Sequence, residues 1–277
     1  MSDETEKESL YCLQEHVLSR LQSIDNPQLA IAKLCGGTAL SRCWLDHRIS
    51  YDLDFFFPEG FKARDIAVAL KMAGISYETK DLVDDPRKAN QLHGYVVHQA
   101  QQLKVSFVED AYFDIFPPVV AAFGAKMVRT EEIQGLYHRK LRTVAGSGSA
   151  GESFEGGRQT ARDLFDLHVL SVKHMPLREF MESLPYQFPV AAFENGLANM
   201  PWFELMDELG EIVCPSRWRH AKDVVFLQNA LYSQLGATLV LDEWVQDAVP
   251  EPAPEPASKT RERGRKGHGP GRGGISR

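Results

Sequence analysis

The sequence predicts an α/β (α+β) fold, a mixed sheet with helices followed by a helical lobe. Three observations predict it. Short apolar runs bounded by Gly, Pro and Asn recur between residues 29 and 116 and read as strands. Apolar residues at three- and four-residue spacing precede and interrupt those runs and read as helices. From Thr130 onward the helical spacing takes over, so sheet and helices partly segregate along the chain.

Residues 5–24 place Leu10, Leu13, Val17, Leu18, Leu21 and Ile24 on one side of an amphipathic helix, which Asn26-Pro27 ends. Residues 29–34 read as the first strand. Gly36-Gly37 then makes a tight turn, and a helix is expected over residues 38–46 with Thr38 as its N-cap. A second strand carries Asp52 and Asp54 and stops at Pro58-Glu59-Gly60. Residues 63–73 are helical, with Ile66, Val68, Ala69, Leu70 and Met72 apolar. Residues 75–82 read as a strand, and Asp84-Asp85-Pro86 as a turn. Residues 93–100 and 103–107 are expected to form a hairpin around Gln101-Gln102. Residues 113–116 end at Pro117-Pro118.

The second half reads as helices over residues 131–144, 160–172, 178–184, 203–213, 217–235 and 239–249. Residues 146–157 are rich in Gly and Ser and form a loop. No Gly-Lys-Ser/Thr follows, so this is no P-loop. The expected organisation is a core with an N-terminal helix over 1–128, a mainly helical lobe over 129–249, and a disordered tail over 250–277.

The chain has 277 residues, 43% of them hydrophobic, enough for a sizeable core, and a formal charge of -7. Residues 248–277 hold seven Lys/Arg against three acids, which leaves about -11 on the body. Such a body is not a general nucleic-acid binder, so any RNA contact must be local or use the basic tail. Cys12, Cys35, Cys43 and Cys214 show no metal-binding spacing and read as reduced, buried core residues of a cytoplasmic protein. The acidic start is unlike a secretory signal, and no apolar run approaches the ~20 residues of a membrane span. Trp44, Trp202, Trp218 and Trp244 are spaced without pattern and read as core or interface residues.

The chemistry concentrates in Cys35-Gly36-Gly37-Thr38-Ala39-Leu40 and His47-Arg48-Ile49-Ser50-Tyr51-Asp52-Leu53-Asp54-Phe55-Phe56. Residues two apart on a strand share a face, so Asp52 and Asp54 point the same way while Leu53 and Phe55 enter the opposite layer. Two acids so placed repel each other unless a cation lies between them. Mg²⁺ (or Mn²⁺) suits carboxylate oxygens together with substrate phosphates. Gly36 and Gly37 let backbone approach a phosphate, and a helix start attracts anions. His47 is expected to be exposed. Arg48 is placed to touch phosphates or brace Asp54. Ser50 lies on the Asp52 face, where its hydroxyl would sit near a triphosphate.

This combination resembles the Gly-Gly-Ser/Thr and Asp-x-Asp element of polymerase-β-type nucleotidyltransferases. More narrowly, it is similar to the AbiEii/AbiGii toxin family, nucleotidyltransferases of toxin–antitoxin and phage-defence pairs. The likeness is dense over residues 34–57 and returns over 140–170, in Lys140 and Arg162-Asp163-Leu164-Phe165-Asp166-Leu167. The resemblance implies a Mg-dependent transfer of an NMP from an NTP to RNA, with a tRNA 3′ end as acceptor and an antitoxin as partner. It makes Asp52 and Asp54 the metal ligands and Lys140 the phosphate lysine. It also makes Asp163 an essential carboxylate, which could act as general base. Gly36, Gly37, Thr38, Arg48 and Ser50 would line the nucleotide site. Asp163 and Asp166 could instead stabilise a helix N-terminus, and Lys126 and Arg129 compete as phosphate contacts. Polymerase-β-type enzymes commonly add a third carboxylate on a neighbouring strand. Ser106 stands where it is expected, with Glu109, Asp110 and Asp114 nearby. Transfer to a protein or small-molecule hydroxyl, and a non-catalytic nucleotide-binding regulator, are the alternatives.

Overall fold

Helix α1 (Asp3–Gln22) buries Leu13, Val17, Leu18 and Leu21 in the core, as its spacing requires. Of the four cysteines expected in the core only Cys35 is buried; Cys12 lies on the outer side of α1 and is exposed, and Cys43 and Cys214 are half-buried. The computed structural model describes residues 3–236 apart from 86 and 147–159. These belong to one compact unit, Met1–Leu239. The helix expected over 239–249, most of the 146–157 loop and the 250–277 tail lie outside the described residues.

The segment read as the first strand divides in two. Asn26 caps a short helix α2 (Pro27–Ile31), its side chain accepting from the amides of Gln28 and Leu29. Proline at the first helical position is pre-set for this, so strand β1 shrinks to Lys33–Cys35. Helix α3 (Gly36–Ala39) follows and continues as a π-helical turn, Leu40–Leu45. The residue preceding α3 is Cys35, so Thr38 lies inside the helix and is not its N-cap.

Strand β2 (Asp52–Phe57) alternates as predicted. Leu53, Phe55 and Phe57 are buried, and Asp52, Asp54 and Phe56 face the other way. Helix α4 (Ala63–Met72) adds Ala63, Ile66 and Leu70 to the core. Strands β3 (Tyr77–Val83), β4 (Gln91–His98) and β5 (Gln101–Glu109) form a meander. The β4–β5 turn sits at Gln99-Ala100, both at positive φ, two residues earlier than expected. Residues 113–116 form no strand. They fold as turns whose Phe113 and Phe116 carbonyls accept from the buried Lys33 ammonium. A second hairpin, β6 (Pro118–Phe123) and β7 (Lys126–Glu131), was not foreseen.

The seven strands are ordered β3-β4-β5-β2-β1-β7-β6. The strand carrying the acids therefore lies between β1, antiparallel to it, and β5, parallel to it.

Helices α5 (Ile133–Ala145) and α6 (Ala161–Lys173) follow, then α7 (Leu177–Ser183), α8 (Val190–Ala198) and α9 (Leu205–Glu211). The helix expected over 217–235 breaks at Asp223 into a 3₁₀ turn, Ser216–Lys222, and α10 (Val224–Gln234). Asp223 caps α10 by accepting from the Phe226 amide. No described helix is long and apolar enough to cross a membrane.

Candidate active site

At the end of β1 the chain turns at Gly36, with φ +72°, and enters α3 beside the acids. A Cβ on Gly36 would come within 2.7 Å of Asp54 Oδ2, and one on Gly37 within 2.4 Å of Arg48 Nη2. The two glycines thus make room for a carboxylate and a guanidinium. The Thr38 hydroxyl, buried behind the turn, donates to the Asp52 backbone carbonyl. Ser50 lies 3.4 Å from Asp52 Oδ1, and its own carbonyl accepts from Gln14 of α1.

The β2–β5 register sets Asp52 beside Lys104 and Asp54 beside Ser106. The β4–β5 register continues these rows to Tyr95 and His93. The position beside Asp54 is therefore a serine. Two of the nearby acids serve elsewhere. Glu109 accepts from the amides of Gly60 and Asn90, and Asp110 pairs with Arg139.

On the other flank is a buried ion cluster. Asp166 on α6 accepts from Arg48 Nε at 2.6 Å, Arg48 Nη2 at 2.8 Å and His47 Nε2 at 2.7 Å, and Lys140 Nζ on α5 lies 2.7 Å away. Lys140 also donates to Asp163 Oδ1 at 2.6 Å, while Asp163 Oδ2 accepts from Thr160 at 2.7 Å. Burial alone would raise the Asp166 pKa, but Arg48, Lys140 and His47 outweigh it and hold the carboxyl well below its usual range. Burial also works against the Lys140 and Arg48 charges, and the two aspartates overcome it, so both pKa values rise. His47 is fully buried, contrary to expectation, and burial holds its pKa down. Arg48 does not brace Asp54; its guanidinium is spent on Asp166.

Both flanks open on one cleft of about 230 Å³. Gly36, Gly37, Arg48, Ser50, Asp52, Asp54, Lys140 and Asp163 line it, together with Lys104, Ser106, His93, Arg139 and Arg162. Thr38 does not, and neither do Lys126 and Arg129. A model of the AbiEii nucleotidyl transferase toxins of type IV toxin–antitoxin systems matches residues 17–199. That span contains both acids and both helices of the ion cluster. The chain belongs to the AbiEii family. It is a nucleotidyltransferase. Among solved structures it is similar to JHP933 from Helicobacter pylori, at 16% identity and TM-score 0.45, with 85% of this chain and 94% of that one covered. A candidate nucleotidyltransferase from H. pylori is similar at 17% identity and TM-score 0.44, covering 85% and 96%. No curated protein matches it.

Sequence reasoning missed Asp166 as the centre of the ion cluster, and it missed the Lys104, His93 and Arg139 walls. Arg139 is held by Glu131 and Asp110 and lies over the Phe56 ring, so its charge is largely answered within the protein. The cleft also tests the expected metal. Among the described residues no three His, Cys, Asp or Glu cluster as a metal cage. Two carboxylates on one strand face, with Asp54 admitted by the missing Cβ of Gly36, fit Mg²⁺, which commonly takes one or two carboxylates and completes its shell with phosphates and water.

Proposed function

We propose that the protein transfers an NMP from an NTP to an RNA acceptor, the 3′ end of a tRNA, and that a cognate antitoxin restrains it in a toxin–antitoxin or phage-defence pair. The observation that carries this is one cleft in which a carboxylate pair lies beside Arg48, Lys140 and Asp163, held in place by a buried ion network centred on Asp166. Asp52 and Asp54 would hold Mg²⁺ (or Mn²⁺), which would offset charge on the phosphate oxygens. Lys140 and Arg48, held in place by Asp166, would contact the triphosphate, and Gly36-Gly37 makes room for Asp54 and Arg48 beside it. The acceptor hydroxyl oxygen forms a bond to the α-phosphorus. The bond from that phosphorus to the bridging oxygen breaks, and pyrophosphate leaves with the electron pair. Both oxygens of Asp163 already have partners, so its geometry favours orienting Lys140 over receiving the hydroxyl proton.

The test is incubation with each α-labelled NTP, Mg²⁺ and total tRNA. Label in the tRNA fraction with equimolar pyrophosphate supports the reading. Label in protein or small molecules moves the acceptor class, and nucleotide binding without pyrophosphate release makes the chain a non-catalytic regulator.

A further inference from the structure

The cleft has two sides, and in-line displacement assigns them. The attacking oxygen and the leaving pyrophosphate lie on opposite sides of the α-phosphorus. Gly36-Gly37, Arg48 and Lys140 all lie on the β1 and α3 side of the acid strand. If the leaving phosphates lie there, the acceptor must enter over β5 and β4. That face carries three chemically distinct side chains in two adjoining rows. Asp52, Lys104 and Tyr95 form one row, and Asp54, Ser106 and His93 the other. Lys104 is exposed, and Tyr95 and His93 are half-buried.

The neighbours of His93 suit one of its two tautomers. The Gln91 amide nitrogen donates to Asp81 at 3.3 Å, which turns the Gln91 carbonyl oxygen toward His93 Nε2, 3.2 Å away. An Nε2 proton would donate to that oxygen and leave Nδ1 a lone pair.

Resting on the RNA-acceptor reading, we propose that this face receives a single-stranded RNA 3′ end. Lys104 meets a backbone phosphate, Tyr95 stacks a base, and His93 Nδ1 takes the hydroxyl proton as the oxygen–phosphorus bond forms. Burial, with Lys104 adding to it and Asp81 opposing, holds His93 below its ordinary pKa and so neutral near pH 7. Stacking on an aromatic ring plus one cationic contact is how single strands are gripped without a duplex groove.

The experiment measures KM for RNA, kcat and NTP affinity in the full-length protein. Lys104→Ala is expected to raise KM for RNA about tenfold and to flatten its salt dependence by roughly 0.7 of a log–log unit. Tyr95→Ala is expected to raise KM for RNA about tenfold at unchanged salt slope. His93→Gln is expected to lower kcat about 100-fold with both affinities kept. Lys71→Ala, an exposed lysine on α4, controls for loss of charge alone. Wild-type RNA kinetics in Lys104→Ala and Tyr95→Ala overturn the assignment, as does a loss confined to NTP affinity. An unchanged kcat in His93→Gln overturns the proton role. A wild-type protein that labels only protein or small molecules overturns the RNA reading itself, and this face falls with it.

Discussion

On the β1 side of the acid strand, Arg48, Lys140, Asp163 and Asp166 are almost wholly buried and answer one another's charges. On the β5 side, Lys104 stands in solvent and Tyr95 and His93 are half-buried. A small, highly charged ligand that is the same in every turnover rewards a rigid, desolvated wall, because cations held in place need not reorganise during reaction. A large acceptor whose sequence and approach vary is better met by side chains that keep their hydration until contact. The contrast also separates buried charge from exposed charge. The first flank is locked inside the fold, and the second presents side chains of sheet strands to solvent.

The strand between the flanks gives the largest expected effect. Asp52→Ala or Asp54→Ala should cut nucleotidyl transfer at least about 10³-fold, since several kcal/mol of charge stabilisation depend on the pair. Both side chains are only half-buried, so the thermal midpoint should stay within a few degrees of wild type. Normal turnover in either variant, measured with α-labelled NTP, would remove the acids from the mechanism.

The next effect falls on the buried flank alone. Asp166→Ala leaves Arg48 without its bidentate partner in a desolvated site and should cost about 3 kcal/mol of stability in chemical denaturation. The low end of the range applies because Lys140 keeps Asp163. Lys104→Ala should stay within about 0.5 kcal/mol. Equal losses in the two variants would erase the distinction between a built wall and an open one.

Acid sharpens it further. The Asp166 pKa is depressed, so its contribution is present above the ordinary aspartate range and is lost only as pH falls through its lower folded value. Elsewhere in the helical lobe, burial pushes His138 and His168 down to about 4. Below the ordinary histidine pKa near 6.5 the unfolded chain takes up protons that the native one does not. Stability should therefore fall between about pH 6.5 and 4, by roughly 3 kcal/mol for each histidine. Neither ring nitrogen of His168 has a hydrogen-bond partner among the described residues, so His168→Phe should flatten that slope. Asp166→Asn removes the charge that partly offsets burial at His47, so it should steepen the slope and not flatten it. The reverse pattern would place acid sensitivity in the ion cluster.

How far this was legible in the sequence depends on the range of the interactions. Asp52 and Asp54 were readable because a two-residue period with Leu53, Phe55 and Phe57 inward is a local signal. Helices α5 and α6 were readable from apolar spacing. The burial of His47 and the role of Asp166 were not, because the pairing spans more than a hundred residues. The β4–β5 turn was misplaced because Gln99 and Ala100 take positive φ without the Asn or Gly that usually marks it. Strands β6 and β7 were hidden by Pro117-Pro118, which reads as a breaker, whereas Pro118 is the first residue of an edge strand. The Lys104–Tyr95–His93 face exists only once three strands are in register. No spacing within one strand announces it.

The smallest effect separates two roles for Asp163. If it is the general base, Asp163→Asn should lower kcat ~10²–10⁴-fold and leave nucleotide affinity intact. The structure gives Oδ1 to Lys140 and Oδ2 to Thr160, which favours orientation of the phosphate lysine. On that account Asp163→Asn should weaken NTP binding about five-fold with kcat changed less than tenfold. Asn keeps an oxygen for Lys140 but loses the charge, and about 1 kcal/mol is what such a charge-assisted bond adds over a neutral one. Lys140→Ala should weaken NTP binding by at least as much. Combining the two changes should then cost no more than Lys140→Ala alone, because Asp163 would act only through that lysine. Additive losses, or a fall confined to kcat, would return Asp163 to the acceptor hydroxyl and take the proton away from His93.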